Sequence, residues 1–204
     1  MDHIKILDQN SDKTNALYKQ IKQCTVCSAH LPLPPNPIIQ LNEQADILII
    51  GQAPGIKAHE SGKAWNDASG QRLRQWLNMG EAQFYNPEKV AIMPMGFCYP
   101  GKGKSGDLPP RKECAGTWHE QILQALPNIK LTLLIGQYAQ KHYLKGTDFG
   151  THFKTLTEKV RNTQKAPQGI LCLPHPSPRN QIWLKKHPWF ISDTLPYLHS
   201  QLEK

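Results

Sequence analysis

The chain has 204 residues, of which 39% are hydrophobic, and 24 Lys and Arg against 16 Asp and Glu give it a net charge of +8. This length favours one domain, which we place at residues 1–204, and the charge favours a partner that carries phosphates or acidic groups. No apolar stretch approaches the roughly 18 residues that cross a membrane, and the N-terminus has no signal-peptide pattern, so we expect a cytoplasmic protein rather than a membrane protein.

Helices and short apolar strands alternate along the predicted chain. Four apolar runs are predicted to be buried strands: 45–50, 90–93, 130–135 and 169–173. Helices are predicted at 12–23, 69–78, 111–126, 136–144 and in the last 20 residues, with interruptions at Pro188 and Pro196. The segments 28–44, 51–67, 101–113 and 145–168 are predicted to be loops or poorly patterned chain. This alternation indicates an α/β protein whose parallel sheet is covered on both faces.

Three loops distant in sequence are expected to meet in one crevice, because ligands of such sheets bind beyond the carboxyl ends of the strands. These are the loop that begins at Gly51, the segment after Met93 and the loop after Leu173. The last of them reads His-Pro-Ser-Pro-Arg-Asn over residues 175–180. Proline fixes φ and has no N–H to donate, so this loop is predicted to be stiff and to hold its polar side chains in place.

The five cysteines need an explanation in a reducing compartment, where disulfides are rare. Cys24 and Cys27 form a Cys-x-x-Cys pair, and Cys98 and Cys114 flank a basic loop. Four thiolates can bind zinc or hold a [4Fe–4S] cluster, but they can also be unrelated buried thiols. Cys172 lies inside a predicted strand and is interpreted as a core thiol.

Several motifs occur in an order that resembles the uracil-DNA glycosylase superfamily. They are Gly51-Gln-Ala-Pro-Gly55, Gly62-Lys-Ala-Trp65, Ser69-Gly-Gln-Arg-Leu73 and the loop over residues 175–180. The positions of the four cysteines resemble the iron–sulfur branches, families 4 and 5, and the sequence HPSPRN is similar to the single-strand-selective monofunctional branch.

The resemblance implies a fold, a cofactor and an activity. The fold would be a three-layer α/β/α sandwich around a central four-stranded parallel sheet. The cofactor would be a [4Fe–4S] cluster on Cys24, Cys27, Cys98 and Cys114, with structural zinc as the alternative. The activity would be that of a monomeric, monofunctional DNA glycosylase of base excision repair, which hydrolyses the N-glycosidic bond of a deaminated base, foremost uracil, flipped out of DNA.

Site residues follow from the same resemblance. His175 would stabilise negative charge on the departing base, and Trp65 would stack on that base, so that the base lies between an indole and an imidazole. The first loop would approach the base and the water; Gln52 is assigned to the catalytic set, and the base-binding residues are Gly51, Ala53 and Gly55.

Water activation and base selection are less well matched to the family pattern. The classical branch has a water-activating Asp where Ala53 stands, so Asp67 is the candidate here, with His59 and Glu60 as alternatives; Asp67 is equally well explained as a helix cap. Pro94 stands where family 4 has a base-reading asparagine, and Asn66 is the candidate substitute.

DNA contacts are predicted on two loops. Arg179 would fill the gap left by the flipped base, Ser177 would bind a phosphate, and Asn180 completes this motif. Lys102 and Lys104 would contact the DNA backbone. Two alternatives stay open: a protein that binds lesions or abasic sites without cutting, and a glycosylase for hypoxanthine or xanthine.

Overall fold

The computed structural model describes residues 2–104 and 106–204, with side chains from residue 12 onward. Its strands are β1 (Ile47–Ile50), β2 (Val90–Ile92), β3 (Lys102–Gly103), β4 (Gly106–Asp107), β5 (Leu131–Ile135) and β6 (Ile170–Leu173). Its helices are α1 (Asp2–Lys22), α2 (Ile56–Ser61), α3 (Ala68–Leu77), α4 (Glu81–Phe84), α5 (Glu120–Ala125), α6 (Gly136–Tyr143), α7 (Asp148–His152), α8 (Leu156–Arg161), α9 (Gln181–Lys186) and α10 (Leu195–Leu202).

The four predicted strands form one parallel sheet in the order β2-β1-β5-β6. Ile49 pairs with Ile92 on one side and with Leu133 on the other. Every residue of β1 and β2 is buried, because helices cover the sheet. α1 packs against α5, and α3 packs against α10. The predicted α/β sandwich around a four-stranded parallel sheet is therefore confirmed.

Several local predictions were wrong. The segment 145–168 contains α7 and α8, whose first turns are capped by Thr147 and Thr155. The segment 51–67 contains α2, and the loop at 101–113 contains the antiparallel hairpin of β3 and β4. Pro196 does not interrupt the last helix, since it lies in the first turn of α10, where a missing N–H breaks no helical hydrogen bond.

None of the helices in the described part of the chain is both long and apolar enough to cross a membrane.

A buried histidine connects the segment after β2 to the helical layer. His119 ends a π-helical turn over 115–119 and stacks between the rings of Phe97 and Tyr143. Its Nε2 lies 3.2 Å from the carbonyl oxygen of Pro94, and its Nδ1 lies 2.6 Å from the Tyr143 hydroxyl. A neutral imidazole satisfies both partners by donating from Nε2 and accepting at Nδ1. Burial lowers the pKa of His119 to about 4.

This histidine predicts acid-sensitive stability. The unfolded chain binds a proton at His119 below about pH 6.5, whereas the folded chain does so only near pH 4. The free energy of unfolding should therefore fall by roughly 3 kcal/mol as the pH drops through this window. Urea unfolding across this pH range measures the loss. His119→Phe should be less stable at pH 7 but should lack this part of the pH dependence, whereas exposed His152→Gln should keep it. An unchanged slope in His119→Phe would contradict the assignment.

Candidate active site

The three loops predicted to converge do meet beyond the carboxyl ends of the strands. Backbone hydrogen bonds join the loop after β2 to the loop after β1: Met95 N–H donates to Gly51 O at 2.9 Å, and Gly96 N–H donates to Gln52 O at 3.0 Å. At the start of α6, a methyl group on Gly136 would lie 3.6 Å from Cβ of His175. The loop after β6 therefore lies against the end of β5.

Trp65 lies at the centre of this crevice in a rare backbone conformation. Its φ is +55°, a left-handed value that bulky residues seldom adopt. Its carbonyl oxygen accepts hydrogen bonds from the Arg74 guanidinium at 3.4 Å and from the Tyr85 hydroxyl at 3.3 Å. Its indole lies directly on Gly51, where a methyl group would come within 2.7 Å of the ring. The contacts on both sides of Trp65 hold it in this conformation.

Trp65 and His175 are neighbours, with ring centroids 5.6 Å apart and a 38° angle between the planes. A base stacked between two rings needs two contacts of about 3.5 Å, or about 7 Å in total. The expected sandwich of a base between indole and imidazole therefore requires one of the two rings to move.

Gly70 makes the Trp65 conformation possible, and this gives a stability prediction. A methyl group on Gly70 would collide with the carbonyl oxygen of Trp65, whereas one on Gly116 would meet nothing within 4 Å. We expect Gly70→Ala to lower the free energy of unfolding by about 1–3 kcal/mol, because the Trp65 turn must shift. Gly116→Ala is the matched control and should not destabilise the protein. Urea unfolding of both variants checks the prediction; equal stabilities would contradict it.

His175 is held as one defined tautomer. The Ser177 N–H donates to Nδ1 at 3.2 Å, and the Asn180 side chain donates to the His175 carbonyl at 2.7 Å. Burial lowers the pKa of His175, while the charge of Asp67 opposes this change. A neutral imidazole that accepts at Nδ1 carries its proton on Nε2. His175 is therefore a neutral hydrogen-bond donor through Nε2.

The wedge-like loop that carries His175 is clamped by a residue that sequence reasoning missed. The guanidinium of Arg72, on α3, donates to the carbonyl of Ser177 at 3.2 Å. Its position three residues after Ser69 carries no signal of this role, because the contact joins residues 105 positions apart.

The structure matches residues 38–199 to one family model, that of the Uracil DNA glycosylase superfamily. The chain belongs to this superfamily. Its members are DNA glycosylases, hydrolases of DNA repair, and DNA is the partner on which they act. The matched residues include the Trp65 turn, the His175 loop, Cys98 and Cys114, whereas Cys24 and Cys27 precede them.

In this superfamily member, Asp67 caps α3. Its Oδ1 accepts a hydrogen bond from Gly70 N–H at 2.8 Å, as the capping interpretation predicted. Asn66 and Asp67 also line a wide groove of about 740 Å³ along α3. His59 lies with its ring 6.3 Å from that of Tyr99, and Glu60 is exposed. The catalytic role of Asp67 and the base-reading role of Asn66 stay predictions.

The loop residues predicted to contact DNA lie beside the hairpin of β3 and β4. Ser177 Oγ accepts from Arg179 N–H at 3.3 Å, which caps a 3₁₀ turn over 178–180. A methyl group on Gly106 would come within 2.5 Å of the Arg179 guanidinium. Lys102 and Lys104 are exposed on the hairpin. The hairpin also brings in Asp107, a carboxylate that sequence reasoning left out because only the basic residues of this loop drew attention.

The four cysteines predicted as metal ligands line one small cavity with Leu31, Pro35, Pro37, Phe97 and Arg111: they are Cys24, Cys27, Cys98 and Cys114. All five cysteines are free thiols, and Cys172 is buried in β6 as interpreted. No group of three or more His, Cys, Asp or Glu side chains within the described ranges is arranged to hold a metal ion. Four thiols around one cavity do fit the donor set of an iron–sulfur cluster, which is larger than a single ion.

The cavity walls keep these thiols protonated in the absence of metal. Burial raises the pKa of Cys98 to about 11 and that of Cys114 to about 12. The Phe97 N–H donates to Cys114 Sγ at 3.4 Å. A backbone donor of this kind stabilises a thiolate, so metal binding here would release protons and retain this hydrogen bond.

Proposed function

We propose that the protein is a monofunctional DNA glycosylase that releases uracil from DNA by hydrolysis. The observation that carries this proposal is the neutral His175, whose Nε2–H is the free donor of a stiff loop beside the Trp65 indole. When the N-glycosidic bond breaks, negative charge develops on the ring oxygens of the base. A preorganised donor at that oxygen stabilises the transition state by several kcal/mol.

The narrow space beside Trp65 supports a pyrimidine rather than a purine. The rings of Trp65 and His175 are 5.6 Å apart, and a uracil needs a smaller displacement of the indole than a two-ring base does. Hypoxanthine or xanthine stays the second candidate because of Pro94. This residue has no side-chain donor or acceptor, and its carbonyl oxygen is already engaged by His119.

We further propose that Cys24, Cys27, Cys98 and Cys114 hold a [4Fe–4S] cluster, with structural zinc as the alternative. Their shared cavity supports this assignment, and the thiol donor set suits either metal. When bound, the group would cross-link α1 and the loop after β2 to the helical segment that begins at Cys114. We propose in addition that the protein acts as a monomer in the cytoplasm, where the reducing environment suits its five free thiols.

The test is base release from defined duplexes. Purified protein is incubated with duplexes that carry uracil, hypoxanthine or xanthine, and the abasic sites are cleaved with alkali and quantified. We expect release of uracil above all. Preferential release of a purine would favour the second candidate, and DNA binding without release of any base would favour a lesion-binding protein that no longer cuts.

A further inference from the structure

We propose that Asp107 is the catalytic carboxylate that positions the hydrolytic water and takes its proton. This inference rests on the proposed function and assigns the base that the site otherwise lacks. The arguments are the position of the β3–β4 hairpin, the commitments of the other candidates and the charges around Asp107.

The hairpin is fixed against the loop after β1. Asp107 pairs with Lys102 across the two strands, and Leu108 N–H donates to Gly101 O at 2.8 Å. The Gln52 side chain donates to the Leu108 carbonyl at 3.3 Å. As a result, Oδ2 of Asp107 lies 3.4 Å from the position that a methyl group on Gly55 would take. The carboxylate therefore borders the loop that faces the crevice.

The other candidates near this loop are unsuited to the task. The side chain of Gln52 is an amide, which cannot accept the proton of a water as a base, and that of Ala53 is apolar. Asp67 already uses one carboxylate oxygen to cap α3. Asp107, in contrast, is an exposed carboxylate whose helix-free hairpin asks for no cap.

The charges around Asp107 suit a general base. Burial raises the pKa of this carboxyl above its ordinary value, Arg179 lowers it, Asp67 raises it and Lys102 lowers it. The phenol of Tyr99 also faces Asp107, whose charge contributes to the raised pKa of Tyr99. A carboxylate with a raised pKa is a stronger base, and Arg179 beside it keeps its ionised form accessible.

The proposed step balances as a hydrolysis. The water oxygen forms a bond to C1′ of the sugar while the bond from C1′ to the base nitrogen breaks. The electron pair of that bond leaves with the base, whose ring oxygen accepts a hydrogen bond from His175 Nε2–H. The proton of the water passes to Asp107, which then releases it to the departing base or to solvent.

Asp107→Asn tests the proposal. With enzyme in excess over a uracil-containing duplex, we expect the single-turnover release rate to fall at least 100-fold, as is typical for loss of a general base. The affinity for the duplex at constant salt should not weaken, because the substitution removes a negative charge. Asp193→Asn, at an exposed aspartate on the π-helical turn before α10, is the matched control and should release base at the wild-type rate.

The pH profile separates a base from a merely structural residue. The wild-type rate should decline as the pH falls through the pKa of Asp107, and the residual rate of Asp107→Asn should lack this limb, since His175, Asp67, Arg179 and Tyr99 are present in both. A release rate of Asp107→Asn within threefold of wild type, or an unchanged acid limb, would overturn the assignment of Asp107 alone. Wild-type protein that releases no base from any duplex would overturn the proposed function, and the role of Asp107 with it.

Discussion

His175→Ala should lower the single-turnover rate of uracil release by roughly 10²–10³-fold, the loss typical for one oxyanion donor. The reason is that Nε2–H of a neutral, buried imidazole is the donor aimed into the crevice beside Trp65. Because Nδ1 accepts from the Ser177 N–H, the donor is oriented before any base enters, so no free energy is spent on reorientation during the reaction.

Two measurements make the His175 result specific. His152→Ala removes an exposed histidine of α7 and should leave the release rate unchanged. Binding of a normal duplex, measured by fluorescence anisotropy, should be retained in His175→Ala, since the DNA-facing side chains remain. A His175→Ala variant that releases uracil at the wild-type rate would show that another group stabilises the departing base.

Cys114→Ala should remove the metal and with it much of the stability. A group bound only by the folded chain contributes its binding free energy to folding, so its loss should lower Tm by on the order of 10 °C. Iron and sulfide analysis, together with absorbance near about 400 nm, should show an iron–sulfur centre in the wild type and none in Cys114→Ala.

Cys172→Ala is the matched control for the metal assignment. Cys172 is as buried as Cys114, and burial raises the pKa of both thiols to about 12, yet Cys172 lies in β6 away from the cavity of the other four. It should retain full metal content and lose only the packing of one sulfur atom. Zinc in place of iron in the wild type would assign the alternative metal, and equal metal content in both variants would exclude Cys114 as a ligand.

The sheet could be predicted almost residue by residue, whereas the elements around it could not. Strands buried on both faces are continuous apolar runs, so β1, β5 and β6 are legible from their composition alone. The short helices α7 and α8 carry little periodicity over five or six residues, and their threonine caps were overlooked. The hairpin of β3 and β4 has two residues in each strand, too few to show any alternation.

The sequence by itself determined the α/β class, the superfamily and the segments that build the site, because buried strands and short motifs are local properties of the chain. Only the tertiary structure decided the state of each side chain: Trp65 in its left-handed turn, His175 as a neutral donor through Nε2, and Asp67 as a cap. These states depend on hydrogen bonds and burial contributed by residues far away in sequence, such as the contact of Arg72 with Ser177. No local pattern records such contacts, since they exist only once the loops are packed together.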